Sequence, residues 1–484
     1  MNVLKGLQPE GIFGFFEDIC GIPHGSGNTT QLSNWLVSFA KERGLEVIQD
    51  DLENVIIIKE ASPGYENAAP VILQGHMDMV CNQTDDCTKD MAKEGLDLVV
   101  DGDTIYAEGT TLGGDDGIAV AFMLAILDDD SLQHPRVEAV FTTDEETGLY
   151  GAEGIDVSPL KGRRFINLDS EDEGILTVGC AGGVEAIADL PVTREAFSGQ
   201  AFEIRLSGFL GGHSGTDIIK GQENALKSLG RLLFELQEGA DARIVTMEGG
   251  VADNVIPVSS RAVIVSPRGD EVRSLCEKYR AVFAHEYKAD PDFRMDLEET
   301  ETDLLPLDEA SGKRAVAYLI GTPNGIEKMT FGIEGLPQTS LSMGVLRSNG
   351  EPMKDETLEY TFCIRSAVDS ECEMLARRLE CMTAVMGGTM RREGPYPGWE
   401  YAAVSPLRDL ICQTYKDQTG KDMVIEAIHA GLECGYFAGK IPGLDCVSIG
   451  PDVQDVHTPN EYVSISSVKR TWDLVREVLA RMKQ

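Results

Sequence analysis

Basic residues are scarce in this chain: 42 Lys and Arg stand against 81 Asp and Glu, a formal charge of −39. That excess repels nucleic-acid phosphates and anionic lipid headgroups, so no nucleic acid and no membrane surface is expected as a partner. Long apolar runs are also missing. The most apolar stretch, Gly117 to Leu127, falls far short of the ~20 residues a bilayer span needs. The N-terminal stretch carries acids inside its apolar part and has no compact run ending in a small-residue cleavage site, so the chain reads as cytoplasmic. Eleven cysteines include no C-x-x-C pair, which argues against a zinc ribbon or a disulfide framework; most are expected to be reduced and buried. What remains, 42% hydrophobic and 25% charged residues over 484 positions, is the balance of a globular protein of two or three domains.

Leu32, Trp35, Leu36 and Phe39 repeat with helical spacing after capping candidates at Asn28 to Thr30, with Gly44 as the stop. A shorter helix near Gly11 to Ile19 precedes it. β-branched runs at 45–48, 55–59, 71–74, 137–142 and 164–168, with a helix over 116–128, give an α/β pattern of a mostly parallel sheet covered by helices. In the middle, strands at 202–206, 243–247 and 262–266 with a helix over 222–236 read as α+β. A second set, strands at 340–345 and 358–365 with a helix over 370–386, has similar content, which raises a lid of two lobes although no sequence period is readable. The βα style resumes near Tyr396, with a helix over 407–414, strands at 423–428 and 446–449 and a last helix striped by Val468, Trp472, Val475 and Leu479. The expected division is a catalytic domain of 1–187 and 393–484 interrupted by an inserted lid, 188–392.

Histidine is rare, seven in all, so its placement carries weight. His76 and Asp78 end an apolar run and share a strand face, the arrangement of an imidazole ligand supported by a carboxylate, though a lone H-x-D pair is a weak signal. Gly113-Gly114-Asp115-Asp116-Gly117 precedes a helix and lacks the Gly-Lys-Ser/Thr of a phosphate loop; helix capping explains Asp116 and leaves Asp115 spare. Asp144-Glu145-Glu146 and Asp169 follow two more strands, and His457 lies in Asp455 to Glu461 after another. Acids at loops are usually solvated, but three successive βα strands deliver an acid or His to the same edge, where open α/β sheets place their sites. His76, Asp115, Glu146, Asp169 and His457 are mixed N/O ligands suited to zinc, with Glu145 as an unligated neighbour. Five are too many for one tetrahedral ion. With one bridging carboxylate they form two three-ligand sets around an activated water, and the predicted chemistry is hydrolysis.

The order GHMD, GGDDG, DEETG, NLDS, HTPNE resembles the co-catalytic zinc peptidases related to carboxypeptidase G, acetylornithine deacetylase and peptidase T. GTTLGGDDGI, VGCAGG, GGHSG, GTPNG, YPGW, IHAGLECG and SIGP resemble, more closely, the aminoacyl-histidine dipeptidase (peptidase D) branch, from near residue 10 to the last helix. The resemblance implies that Asp115 bridges two zinc ions, that His76 and Asp169 complete one site and Glu146 and His457 the other, that Glu145 is the general base and that Asp78 orients His76. It also implies a cis bond after Asp115, with Asp116 standing where relatives often carry Asn. In the lid it implies His213 as the oxyanion donor, with Asn254 and Arg365 holding substrate, Arg365 as the carboxylate clamp. His429 and Glu433, in IHAGLECG, correspond to a loop expected to bind the substrate backbone and a C-terminal imidazole. Cys434 has no paired base and is not expected to act as a nucleophile.

The expected activity is hydrolysis of Xaa-His dipeptides, including β-alanyl-histidine, by a cytoplasmic homodimer with small peptide substrates. Two zinc ions are the expected cofactors, and cobalt or manganese could substitute. A tripeptidase or an N-acyl amino acid deacylase would use the same metal site, and a non-catalytic peptide-binding or metal-binding protein is the alternative outside enzymes.

Overall fold

The computed structural model describes residues 3–483, which divide into two compact units. One comprises the chain up to Cys180, Trp399–Ala427 and the chain from Leu432 onward; the other comprises Ala181–Gly398 and Ile428–Gly431. Among the described residues no helix is long and apolar enough to cross a membrane.

The first unit is built on an eight-stranded sheet: β1 (Glu46–Gln49), β2 (Val55–Lys59), β3 (Val71–His76), β4 (Val137–Thr142), β5 (Arg164–Asn167), β6 (Ile175–Cys180), β7 (Val424–Ile428) and β8 (Asp445–Ser448), in the order β1-β2-β4-β3-β5-β8-β6-β7. The central strands β4, β3, β5 and β8 run parallel, and antiparallel pairings β1–β2, β2–β4 and β8–β6 flank them. Every residue of β2, β3 and β4 is buried, including Lys59, Gln74, His76 and Glu138, as expected of mostly apolar strands covered on both faces. The longer helices are α1 (Glu10–Cys20), α2 (Thr30–Glu42), α3 (Gly114–Asp128), α4 (Pro406–Thr419) and α5 (Ile465–Arg481), with short ones at Tyr150–Gly154 and Cys434–Lys440. α3 is apolar all round and wholly interior from Asp116 to Leu127, whereas α5 buries one stripe including Val468, Trp472, Val475 and Leu479. Ser405 caps α4 ahead of Pro406, and Ser464 caps α5. The expected cap of α2 is not formed: the Thr29 and Thr30 hydroxyls donate to Glu53 instead. A small antiparallel sheet, which the sequence pattern does not announce, orders Val453–Gln454, Tyr462–Ser464, Thr104–Ala107 and Leu98–Asp101. It turns the segment holding His457 into a hairpin loop.

In the second unit the two expected sets of strands are halves of one nine-stranded sheet. Its order is Arg294–Thr300, Gln200–Ser207, Ser260–Ser266, Arg243–Gly249, Pro337–Asn349, Thr357–Ser366, Gly182–Pro191 and Thr389–Tyr396, with Gly325–Met329 pairing to Pro337–Asn349 off that path. The halves meet at the single register pair Gly249↔Leu346. Helices Ala225–Ala240, Gly269–Glu286, Glu309–Gly321 and Asp369–Val385 complete the α+β unit, and one apolar core that includes Leu229, Leu319, Phe362 and Leu379 runs through both halves.

Candidate metal centre

The C-terminal ends of β3, β4 and β5 bring the polar residues of the first unit together. Below them runs a ladder of buried amides and hydroxyls. Gln74 Nε2 donates to Thr142 Oγ1 at 3.1 Å, Asn167 Nδ2 to Gln74 Oε1 at 2.8 Å and Ser448 Oγ to Asn167 Oδ1 at 2.5 Å. These bonds lock the four parallel strands in register immediately beneath the loops that follow them. Gly75 is required here, because a Cβ at that position would lie 2.5 Å from Asp116 Oδ2 and 2.8 Å from Ala119 Cβ, so α3 could not approach β3. Asp116 does not cap α3; its Oδ2 accepts the His76 backbone N–H at 3.1 Å. The Asp115–Asp116 peptide bond is cis.

Asp115 faces both imidazoles. Its Oδ1 is 2.9 Å from His76 Nε2 and its Oδ2 is 3.2 Å from His457 Nε2. His76 Nε2 is also 3.6 Å from Asp169 Oδ1, and His457 Nε2 is 3.0 Å from Glu146 Oε2. Ligand atoms converge in three groups: Asp115, Glu146 and His457; His76, Asp116 and Asp169; and His76, Glu145 and Glu146. His457 sits at φ +62°, the left-handed region, and its carbonyl accepts from Asn82 Nδ2 at 2.8 Å.

Asp78 does more than orient His76. The Nδ1 of His76 lies 3.0 Å from the Asp78 backbone carbonyl and 3.5 Å from its carboxylate, so Nδ1–H donates to the carbonyl and Nε2 is left facing Asp115 and Asp169. The Asp78 carboxylate itself accepts from Ser26 Oγ at 2.8 Å and from the backbone N–H groups of Glu145 at 3.1 Å and Glu146 at 3.4 Å. Ser26 escapes sequence reasoning, because HGSG has no distinguishing spacing. Glu433 is fully buried, its Oε2 accepting from Gln74 at 2.5 Å and Thr142 at 2.7 Å. It therefore lies under the strand ends rather than on an open substrate wall. Burial pushes its carboxyl up to about 8, and Asp169 and Asp78 add to the rise. Its neighbour Cys434 is buried, which raises its thiol well above the ordinary range and removes thiolate character.

The electrostatics call for cations. Burial opposes charge on His76, yet Asp169, Asp115 and Asp78 outweigh it and lift the imidazole well above its ordinary value. Hydrogen bonds donated to the Asp115 and Glu146 carboxylates push His457 up to about 10. Burial, with Asp115 and Glu146 adding, raises Asp169 to about 6, and burial with the nearby carboxylates Asp169, Glu433 and Asp115 raises Glu145 well above the usual carboxylate range. Glu146 Oε1 is buried with no hydrogen-bond partner, an acceptor left without a positive group. An imidazole-and-carboxylate donor set of this kind fits divalent ions of the zinc type.

The second unit gathers His213, Arg365 and His429. His213 Nε2 is 3.3 Å from Arg365 Nη2, and Arg365 Nη1 donates to Tyr396 Oη at 2.6 Å. Arg365 is nine-tenths buried with its Nε unpartnered. Burial, with Arg365 adding, depresses the His213 imidazole. His429 Nε2 meets Ser340 Oγ at 2.7 Å, and a Cβ on Gly215 would strike the His429 carbonyl, His213 and Arg365 at 2.3, 2.9 and 3.1 Å. Asn254 is exposed beside the two-residue strand Val255–Ile256 that pairs with Gly212–His213; its carbonyl accepts from Ser214 N at 2.8 Å. IHAGLECG is thus split, with His429 in the second unit and Glu433 in the first. Tyr396 and Ser340 are not among the expected site residues, because nothing in a single strand's pattern points to the partner across the sheet.

The end of β3, the start of α3 and the hairpin loop between Val453–Gln454 and Tyr462–Ser464 place one carboxylate between two imidazoles, the arrangement of a metal-dependent hydrolase. The model of peptidase family M20/M25/M40 matches residues 72–481, and the chain belongs to that family; it is a metallopeptidase. It is 36% identical over 484 residues, 99% of each chain, to the cytosol non-specific dipeptidase of Escherichia coli K12. Among solved structures it is similar to the aminoacylhistidine dipeptidase of Vibrio alginolyticus, with a TM-score of 0.93, 35% identity and 99% and 98% of the two chains covered. Aminopeptidase PepT of Bacillus cereus shares the fold at a TM-score of 0.56 and 15% identity, over 99% and 100% of the two chains.

Proposed function

We propose that the protein is a cytoplasmic dipeptidase that hydrolyses Xaa-His dipeptides such as β-alanyl-histidine and uses two metal ions, zinc by preference. The observation that carries this reading is Asp115, which turns one oxygen to His76 and the other to His457. His76, Asp115 and Asp169 would hold one ion and Asp115, Glu146 and His457 the other. When bound, the pair would lower the pKa of a water and polarise the scissile carbonyl. Glu145 takes the proton of the attacking water and returns it to the leaving amine; its raised affinity for protons suits that exchange. Asp78 keeps Glu145 and Glu146 in place through their backbone N–H groups. The second unit is read as the inserted lid, with His213 assigned to the oxyanion and Arg365 to the substrate carboxylate, for which a planar guanidinium with an unpartnered Nε is suited. Asn254 and His429 are assigned to the rest of the substrate, and Glu433 is left out of it. The names of two relatives aligned over nearly their whole length at 36% and 35% identity, a non-specific dipeptidase and an aminoacylhistidine dipeptidase, support the substrate class. A homodimer is part of the proposal and light scattering tests it. The decisive assay is hydrolysis of β-alanyl-histidine against a panel of dipeptides, tripeptides and acetylated amino acids, before and after chelation and zinc readdition. Turnover of dipeptides that is lost and restored supports the reading, and preference for tripeptides or acyl amino acids overturns it.

A further inference from the structure

Helix α3 begins without a cap of its own. Its N-cap residue, Gly113, has no side chain to accept the first N–H groups, although a helix start leaves such groups unsatisfied and favours an anion beside them. The anion comes from the far end of the chain. Glu461 Oε2 accepts from Leu112 N at 2.8 Å and Gly113 N at 3.1 Å, while its Oε1 accepts from Gly114 N at 2.7 Å and Asp115 N at 3.2 Å. Four consecutive amides close around one carboxylate that is only 2% exposed. The two glycines make this possible. Gly113 adopts φ +67°, and a Cβ on Gly114 would meet Val463 Cγ2 at 2.5 Å and Glu461 Oε1 at 3.3 Å. Glu461 belongs to the hairpin loop of His457, and its own N–H donates to the Thr458 carbonyl at 3.1 Å.

We infer that Glu461 is a positioning residue of the metal centre: by seating the Leu112–Asp115 turn on the His457 loop it sets Asp115 and His457 at the spacing two ions require. The role rests on the two-metal reading above. It differs from plain helix capping because the two segments it joins each end in a proposed ligand, so loss of the carboxylate moves ligands as well as destabilising α3. Each oxygen already accepts two N–H groups. Glu461→Gln would therefore point an amide NH2 at two backbone donors, and Glu461→Asp is one methylene too short to reach all four.

The test is competitive chelator titration of zinc on the folded full-length chain. In Glu461→Gln the more weakly held zinc equivalent should dissociate about 10- to 100-fold more readily, Glu461→Asp should fall between it and the unaltered protein, and KM at saturating zinc should change less than about threefold. In the unaltered protein, zinc loading should slow amide exchange at Leu112 to Asp115, because the coupling is reciprocal, and this measurement stands even if the variants do not fold. Zinc affinity unchanged in a folded variant, whatever its melting temperature, or amide exchange indifferent to zinc, overturns the role. An unaltered chain that takes up no zinc and cleaves no dipeptide overturns the underlying reading instead.

Discussion

Replacing Asp78 by Asn exchanges one oxygen for an NH2 group and should disturb both the fold and the chemistry. The Asp78 side chain is completely enclosed. Its Oδ1 accepts the Glu145 N–H, and its Oδ2 accepts the Ser26 hydroxyl and, more weakly, the Glu146 N–H. An amide keeps one oxygen and turns an NH2 toward whichever donors faced the other. Hydrogen bonds to a buried charge are worth about 1.5–3 kcal/mol, and an opposed donor adds a desolvation cost of similar size. Asp78→Asn should therefore lose roughly 2–4 kcal/mol, which in a unit of this size lowers the melting temperature by about 5 °C or more. Because the displaced segment carries Glu145 and Glu146, kcat should fall about 10- to 100-fold, while KM stays within about threefold, since Asp78 is enclosed below the surface that meets substrate. Ser26→Ala removes only one donor and should give a smaller loss in both. Steady-state hydrolysis of one dipeptide at saturating zinc, paired with thermal melts, reads both effects. An Asp78→Asn protein with undiminished kcat and melting temperature would show that the carboxylate does not hold the two glutamates.

Glu145→Gln should cut kcat by about 10²- to 10⁴-fold with bound zinc, read by elemental analysis, unchanged; retained turnover removes Glu145 as the base. Arg365→Lys loses the planar fork and should raise KM for free dipeptides about tenfold or more, with little change for substrates amidated at the C-terminus; an equal effect on both would end the assignment to the carboxylate. His429 provides a pH test. Burial, with Arg365 and His213 adding, holds its imidazole down to about 4, against about 6.5 in an unfolded chain. Because the folded value is the lower one, the unfolded state binds the extra proton, so stability is full above about pH 6.5 and is lost as pH falls toward 4. The loss amounts to about 3 kcal/mol, from 2.5 pK units at 1.36 each. Melts between pH 7 and 4 should be less steeply pH-dependent for His429→Gln, and parallel curves would contradict the neutral buried imidazole.

Much of the first unit was legible because its central strands are buried on both faces, and a mostly apolar, β-branched run such as Val55–Lys59 or Val137–Thr142 suits little besides a strand enclosed by helices. His76, Glu146 and Asp169 could be picked out for the same reason, since each stands at or just past a run that must end, whereas Asp115 stood out as the spare acid before a helix and His457 as a rare histidine among acids. The seam between units was harder to see: Ile175–Cys180 is followed after one residue by Gly182–Pro191, with no linker to mark the change. Arg294–Thr300 escaped because its apolar alternation is only two residues long, Met295 and Leu297, set among the exposed Arg294, Asp296, Glu298 and Glu299 of an edge strand. Glu433 reads as part of the substrate wall in the sequence because IHAGLECG corresponds to a loop expected to line it, and only the folded chain turns Glu433 under Gln74 and Thr142. The four-amide seat of Glu461 could not be read at all, because backbone N–H groups leave no mark in a sequence beyond the two glycines that make room.

Anomalous scattering at the zinc edge from zinc-soaked crystals tests the shared-carboxylate site most directly. Two peaks should flank Asp115, one against His76 and the other against His457. A single peak, or density at neither imidazole, would contradict the account.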